Sequence, residues 1–397
     1  MMSVWSSLVG QGDAVAKLSE AAASARAIVA SRAGSAAQED ARSMSHAWLI
    51  TGPPGSGRSV AARAFAAALQ CTGEEVGCGT CPGCRTTMGR TNADVLFAAT
   101  ETSIINVETA RSLVLQAQSS PSQGLWRVIV VEDADRLGEA GANALLKAIE
   151  EPPEHTVWLL CAPSPEDMIA TIRSRCRHLG LRIPTANAVA DLLVREGVAT
   201  PEVALEAARA AQSHIGLARA LAADPEMRAR RRAIVTAPVS VRSVGEAVLA
   251  ADRLLETAKA QADAQVSERN AREKAELLRQ LGMEEDERAT KASRTLIRQL
   301  EEDQKRRSKR ALTDAIDRAL IDLLAIYRDV LMTQVGGDGE LINTDLADLV
   351  RSIADESTPR QTLSRVDHIE TARRRLKSNG NTLLVLEDMA ISLRPQA

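Results

Sequence analysis

Ala47-Trp48-Leu49-Ile50 runs through Thr51 into Gly52-Pro53-Pro54-Gly55-Ser56-Gly57-Arg58-Ser59, and Val60–Leu69 continues as an alanine-rich run. The first four residues read as a short buried strand, and the last ten as a helix. Between them stands the spacing G-x-x-x-x-G, then a basic residue, then Ser. Glycines at those places let backbone N–H groups turn inward around phosphate oxygens, and the start of the helix adds its positive end. Ser59 would offer a hydroxyl to Mg²⁺. A plain Gly/Pro turn is the bland alternative. The flanking strand and helix favour a phosphate-binding loop, with Gly52, Pro53, Pro54, Gly55, Ser56, Gly57, Arg58 and Ser59 as its nucleotide-binding residues.

One residue departs from that motif. Arg58 stands where a lysine is usual, and a planar guanidinium cannot simply take the place of a compact ammonium between phosphates. A second departure follows the apolar strand Val128–Val131. Glu132 precedes Asp133, whereas the usual order puts the Mg²⁺-holding Asp before the water-orienting Glu. Each carboxylate is displaced by about a methylene, and misplacement on the order of 1 Å is costly in rate. A strand-end turn is the plainer reading of the two acids. Taken as a site, the residues form a degenerate cradle for ATP or ADP with Mg²⁺.

Working outward, strands expected at 94–98, 128–131 and 157–161 alternate with helices at 107–119 and 140–150, the latter stopped by Pro152-Pro153. Such alternation implies a parallel sheet covered on both faces. A helix followed by a loose loop through 31–45 precedes it. Beyond residue 184 the strand signals vanish. Segments 186–196, 201–211 and 215–223 read as short helices, and 312–332, 341–353 and 379–393 as later ones. Ser267–Arg310 carries 13 Lys/Arg and 10 Asp/Glu and reads as a long solvated helix or helical hairpin.

The expected organisation is therefore an α/β P-loop domain at 1–183, a small helical lid at 184–228 and an all-helical domain at 229–397. At 397 residues, two or three domains are natural. A net charge of -3 and an aromatic content of 2% argue against a free-standing nucleic-acid binder, which needs a basic face or stacking rings. The N-terminus lacks signal-peptide character, and no stretch of about 18 apolar residues could span a membrane, so the chain reads as cytoplasmic.

Cys71, Cys78, Cys81 and Cys84 are spaced C-x6-C-x2-C-x2-C. Two-residue gaps let thiolates converge on one ion, and Gly77, Gly79 and Gly83 supply tight turns. Structural Zn²⁺ fits best, and an iron–sulfur cluster is the rival. Cys161 and Cys176 read as ordinary buried thiols.

A cysteine module directly after a phosphate-loop helix, followed by Asn143-Ala144-Leu145-Leu146-Lys147-Ala148-Ile149-Glu150-Glu151-Pro152-Pro153 and Ser174-Arg175-Cys176, resembles the bacterial DNA polymerase III clamp loader, an AAA+ family. The resemblance covers roughly residues 4–222. Leu8-Val9-Gly10-Gln11 is similar to the family's stretch beside the adenine, which places Val9 in the nucleotide set. The C-terminal helices match in kind as an oligomerising collar.

Two types share the pattern: the ATP-hydrolysing tau/gamma subunits and the delta-prime subunits, which act as stator with weak or absent ATPase activity. Arg58, Glu132-Asp133 and Cys161-Ala162-Pro163, which stands where the active type has a polar sensor, favour the second. The resemblance then implies that Arg175 is an arginine finger reaching a neighbour's γ-phosphate, and that Arg219 lies near the lid arginine. The implied partners are gamma/tau and delta type subunits in a hetero-oligomeric ring, the sliding clamp, and primer-template DNA through the assembly, at the replisome of a bacterial cytoplasm. An active gamma/tau-type subunit, or a zinc-containing P-loop kinase or regulator, are the alternatives.

Overall fold

The computed structural model describes residues 3–32, 43–98, 105–237, 241, 243–281, 291–337, 339–378 and 380–394. The chain divides into two compact units, Met1–Arg219 and Ala220–Ala397. The first contains α1 (Gly12–Arg32), β1 (Ala47–Thr51), α2 (Arg58–Leu69), α3 (Pro82–Met88), β2 (Val95–Ala98), α4 (Val107–Ala117), β3 (Arg127–Val131), α5 (Glu139–Glu150), β4 (Thr156–Ala162), α6 (Ala170–Arg173) and β5 (Arg177–Gly180). The helices α7 (Ala186–Arg195) and α8 (Pro201–Ala210) follow, and α9 (Ile215–Ala223) runs past its end. The expected loop at 31–45 falls largely outside the described residues.

The strands form a sheet in the order β2-β3-β4-β1-β5, every pair parallel. Successive side chains of a strand point to opposite faces, so a sheet covered twice needs apolar residues at nearly every position. β1 and β4 meet that demand with every residue buried. Trp48, Ile50, Val128, Val130 and Leu159 join α1 and α2 in one apolar layer, while Leu49, Ile129, Val131 and Leu160 join α4 and α5 in the other. Alanine dominates α2: Ala61, Ala62, Ala64, Ala66, Ala67 and Ala68 are buried beside Phe65, so the helix lies close against the sheet. This is the expected α/β P-loop architecture, with the loop at the carboxyl end of β1, where open α/β sheets bind ligands.

β5 was not expected. Arg177-His178-Leu179-Gly180 shows no apolar run, yet it pairs with β1 over Trp48–Thr51. An edge strand tolerates polar residues because one side faces solvent. Here Arg177 stacks its guanidinium 4.9 Å above the Trp48 ring, and His178 Nε2 lies 2.6 Å from Thr51 Oγ1. The helices α3 and α6 are likewise too short to announce themselves by periodicity.

The second unit contains α10 (Pro225–Thr236), α11 (Val244–Gln280), α12 (Lys291–Gln334), α13 (Ala347–Asp355), α14 (Pro359–Lys377) and α15 (Thr382–Ser392). The charged stretch 267–310 belongs to α11 and α12, which pair as a hairpin. Arg307 reaches across to Asn270 Oδ1 at 2.7 Å and Glu273 Oε2 at 2.8 Å, and Gln304 to the Asn270 carbonyl at 2.9 Å. The apolar core gathers nearer the other end, around Leu254, Ile316, Leu320, Leu323, Ile326, Tyr327, Ile369 and Leu386.

The helix expected from 341 begins only at Ala347. Asp329 accepts from the backbone N–H groups of Ile342 and Asn343, at 3.1 and 2.8 Å, and holds that segment out of helix. Among the described residues, no helix is long and apolar enough to cross a membrane.

Candidate nucleotide cradle and cysteine centre

The loop after β1 has the backbone of an anion cradle. Gly55 and Gly57 sit at φ +90° and +91°, conformations that side-chain-bearing residues rarely adopt, and Gly57 is the N-cap of α2. Gly55 also needs to be bare, because an added Cβ would lie 2.9 Å from the His214 Cα. Pro53 and Pro54 are exposed, Ser56 is buried, and Ser59 is half-buried in the first turn of α2. Ser56 Oγ has no hydrogen-bond partner among the described residues.

Gln11 ties this loop to its surroundings. Its Nε2 donates to the carbonyls of Ser56 (3.2 Å) and Arg182 (2.6 Å), and its Oε1 accepts from the Arg182 N–H. Val9, buried, lines a cleft of about 770 Å³ with Trp5, Leu8, Val15, Ala188 and Val194. That volume lies within the ~300–1,000 Å³ of ordinary ligand pockets, and the apolar walls suit a flat heterocycle.

The two positions that depart from the motif are engaged within the protein. Arg58 folds back and donates to the Gly52 carbonyl at 2.6 Å. Glu132 accepts from Arg90 at 2.5 Å, with its side chain 14% exposed. Arg63 of α2 belongs to the same cluster: burial first and Arg90 second depress its pKa, while Glu132 raises it.

Asp133 opens the 3-10 turn Ala134–Arg136, and its carbonyl accepts from the Arg136 N–H at 3.0 Å. Cys161 is fully buried, and burial pushes its thiol up to about 12; Arg58 opposes that rise, and Glu132 and Asp133 add to it. The fields of Arg58, Glu132 and Asp133 at one thiol mean that the fold brings the suspected residues into one neighbourhood.

Two other arginines lie at the surface. Arg175 follows α6, pairs with Glu150 at the end of α5, and donates to the Thr171 carbonyl at 2.9 Å. Its side chain is 40% exposed. Arg219 forms a two-pronged pair with Glu196 at 2.8–3.0 Å, so its hydrogen bonds go to that carboxylate and not to the phosphate loop. His214 takes the place beside the loop instead. Nothing in the spacing of either His214 or Arg90 announces its position, whereas Gln11 stands inside a stretch already singled out.

The cysteine centre is built on backbone donors. The Sγ atoms of Cys71, Cys78, Cys81 and Cys84 all lie within 4.8 Å of one another. Sγ–Sγ separations are 3.7 Å for Cys71–Cys78 and 3.9 Å for Cys71–Cys81. Thiolates ~2.3 Å from a tetrahedral ion stand about 3.8 Å apart, so the four sulfurs could hold one metal ion. Burial would raise the Cys81 thiol, yet the N–H groups of Cys84 and Thr72, each 3.4 Å away, outweigh it and leave the thiol at about 6. The Thr80 hydroxyl first, then the Cys81 N–H, lower Cys78. Burial pushes Cys84 up, a cost that a cation would offset. The module is also wired to the cleft, because the Gly77 carbonyl accepts from Val4 N and Ser3 Oγ, both at 3.0 Å.

Comparison with known proteins accords with this geometry. Residues 33–185 match the family described as DNA polymerase III, delta subunit, and residues 287–394 match DNA polymerase III, delta subunit, C terminal. DNA polymerase III subunit delta' of Escherichia coli is 33% identical over 189 residues, covering 47% of this chain and 57% of that protein. The Yersinia pestis delta' subunit is 38% identical over 143 residues, 35% of this chain and 42% of the relative. The gamma/tau subunit of Mycobacterium tuberculosis is 35% identical over 162 residues, 39% of this chain and 28% of the relative. The chain thus spans between about a quarter and just over half the length of these relatives. A match across the cysteine-bearing sheet unit, and another at the C-terminal helices, lead to one conclusion. The chain belongs to the delta-prime/tau/gamma family of DNA polymerase III clamp-loader subunits.

Proposed function

We propose that the chain acts as the stator of a clamp-loader ring, with a degenerate nucleotide site of its own and Arg175 supplied in trans to a neighbouring ATPase subunit. The observation that carries this reading is the internal engagement of the cradle. Arg58 is turned onto the Gly52 carbonyl and Glu132 is neutralised by Arg90. A carboxylate already paired with guanidinium is a poor seat for Mg²⁺. ATP or ADP would bind with its base in the Val9 cleft and its phosphates on the Gly52–Ser59 backbone. Arg219, paired with Glu196, would have to change partners to join it.

Arg175 suits the trans role chemically. A guanidinium is charged at every working pH and grips phosphate oxygens with two donors. Its exposure and its position outside the chain's own cradle support the assignment. The partners are gamma/tau and delta type subunits, then the sliding clamp and primer-template DNA through the assembly, in a bacterial cytoplasm. The domains are 1–183 for the sheet, 184–228 for the lid and 229–397 for the collar. The metal is Zn²⁺ in a structural role, closed by four thiolates with no position left for substrate. A multi-iron cluster would hold its thiolates further apart.

The gamma/tau relatives favour a second reading, an ATPase in its own right. Turnover by the purified chain separates the two. The stator reading expects ATP hydrolysis at background, unaltered by Arg58→Ala; robust turnover abolished by that substitution overturns it.

A further inference from the structure

The Ala220–Ala397 unit contains a small cavity of about 200 Å³ where the first two turns of α14 meet the end of α15. Its walls are Arg360, Gln361, Ser364, Arg365, Ser392 and Arg394. Arg365 is 7% exposed, and among the described residues it makes no hydrogen bond or ion pair; its contact is with the Tyr327 ring, 5.8 Å from the guanidinium. A buried guanidinium without a hydrogen-bond acceptor is costly, and its donors face a space large enough to hold one. Arg360 and Arg394 add two more cations, neither paired with a carboxylate among the described residues. Arg394 donates through Nε to the Ile391 carbonyl at 3.0 Å, which blunts the negative end of α15 and leaves its other nitrogens for the cavity.

We propose that this cavity is an oxyanion site that takes a phosphate group. Three guanidiniums and the Ser364 hydroxyl supply more donors than the two oxygens of a carboxylate can accept, whereas a tetrahedral phosphate presents acceptors on every side. The volume lies below the ~300 Å³ at which ordinary organic-ligand pockets begin, so the site holds a phosphate but not the nucleoside attached to it. The N-terminus of the 19-residue α14 adds its partial positive charge. The Thr358 cap is already closed on Gln361, so the anion is held by side chains and does not replace the cap. The phosphate is either free orthophosphate or one phosphodiester of a nucleic-acid strand.

Hydrogen–deuterium exchange of the full chain tests this. Millimolar inorganic phosphate should slow exchange in peptides spanning 358–366 and 391–394, where chloride or acetate at equal ionic strength should not. Arg365→Gln and, as a surface variant that leaves Tyr327 packing intact, Arg360→Gln should each reduce that protection at least tenfold in phosphate concentration. Arg58→Ala should leave it untouched, which separates this cavity from the nucleotide cradle. A parallel arm uses an oligothymidylate without terminal phosphates. Protection by the strand at lower concentration than by phosphate identifies a phosphodiester, and protection by orthophosphate alone identifies the free ion. Protection by neither, equal protection by acetate, or indifference to both variants overturns the site.

Discussion

Replacing Asp94 with Asn should strip the sheet unit of a large part of its stability without touching the cradle. Asp94 is fully buried, and its two carboxylate oxygens accept from Ser122 N (2.6 Å), Ser122 Oγ (2.9 Å), Gln123 N (2.8 Å) and Gly124 N (2.6 Å). They thereby anchor the loop that leads into β3 beside the entry to β2. An amide keeps one acceptor oxygen and turns an NH₂ group toward two of the N–H donors. Two charge-assisted hydrogen bonds, each worth about 1.5–3 kcal/mol, are lost; the lighter desolvation cost of a neutral amide offsets part of that. The expected net loss is about 3 kcal/mol. For a unit of this size that lowers Tm by roughly 6–12 °C.

The pH dependence gives a second check. Burial would raise the Asp94 carboxyl, but the backbone donors of Ser122, Gln123 and Gly124 hold it below the usual range. A group whose folded pKa is depressed contributes stability above its unfolded pKa of about 3.9 and loses it as pH falls through the folded value. The gap between the natural chain and Asp94→Asn should therefore be full at pH 7 and close below about pH 4. Thermal unfolding across that range, followed by circular dichroism, reads both effects. A loss below about 1 kcal/mol at pH 7, or a gap that widens in acid, refutes the reasoning.

Native mass spectrometry should find one zinc per chain, lost in Cys81→Ser; iron with visible absorption would reverse the choice of metal. Gly83→Ala should cost at least about 2 kcal/mol by urea unfolding, since its Cβ would sit 2.0 Å from the Gln70 carbonyl oxygen. Gly12→Ala, which meets nothing within 4 Å, should stay within about 0.5 kcal/mol; equal losses for both would refute the packing account. Arg90→Ala should release Glu132 and raise Mg²⁺-dependent nucleotide affinity about fivefold, the yield of a partly exposed ion pair worth about 1 kcal/mol. Titration with and without Mg²⁺ checks it, and unchanged affinity would remove the pair from the account.

The sheet was legible where burial on both faces forces apolar runs, as in Val128–Val131 and in the strand before the glycine loop. β5 was not, because its edge place let Arg177 and His178 stand in a strand without breaking any rule of burial. The cysteine spacing was legible because ligand geometry restricts it locally. Its α3 helix was hidden: seven residues leave no periodicity, and its start is marked by the Cys81 sulfur accepting from the Cys84 N–H. The suspect status of Arg58 and of Glu132-Asp133 could be read from motif chemistry. What engages them could not, since Arg90 reaches Glu132 across 42 positions and looks in sequence like any surface arginine. Arg219 failed to show its partner for the same reason, because Glu196 is near only in space.

The most direct measurement is DNA-stimulated ATP hydrolysis by a reconstituted ring carrying Arg175→Ala in this chain alone. A trans guanidinium accounts for about 10³–10⁵ in rate at the one site it serves, so hydrolysis at that interface should collapse while assembly, followed by gel filtration, stays intact. An intact ring that hydrolyses ATP at the natural rate at that interface would contradict the account.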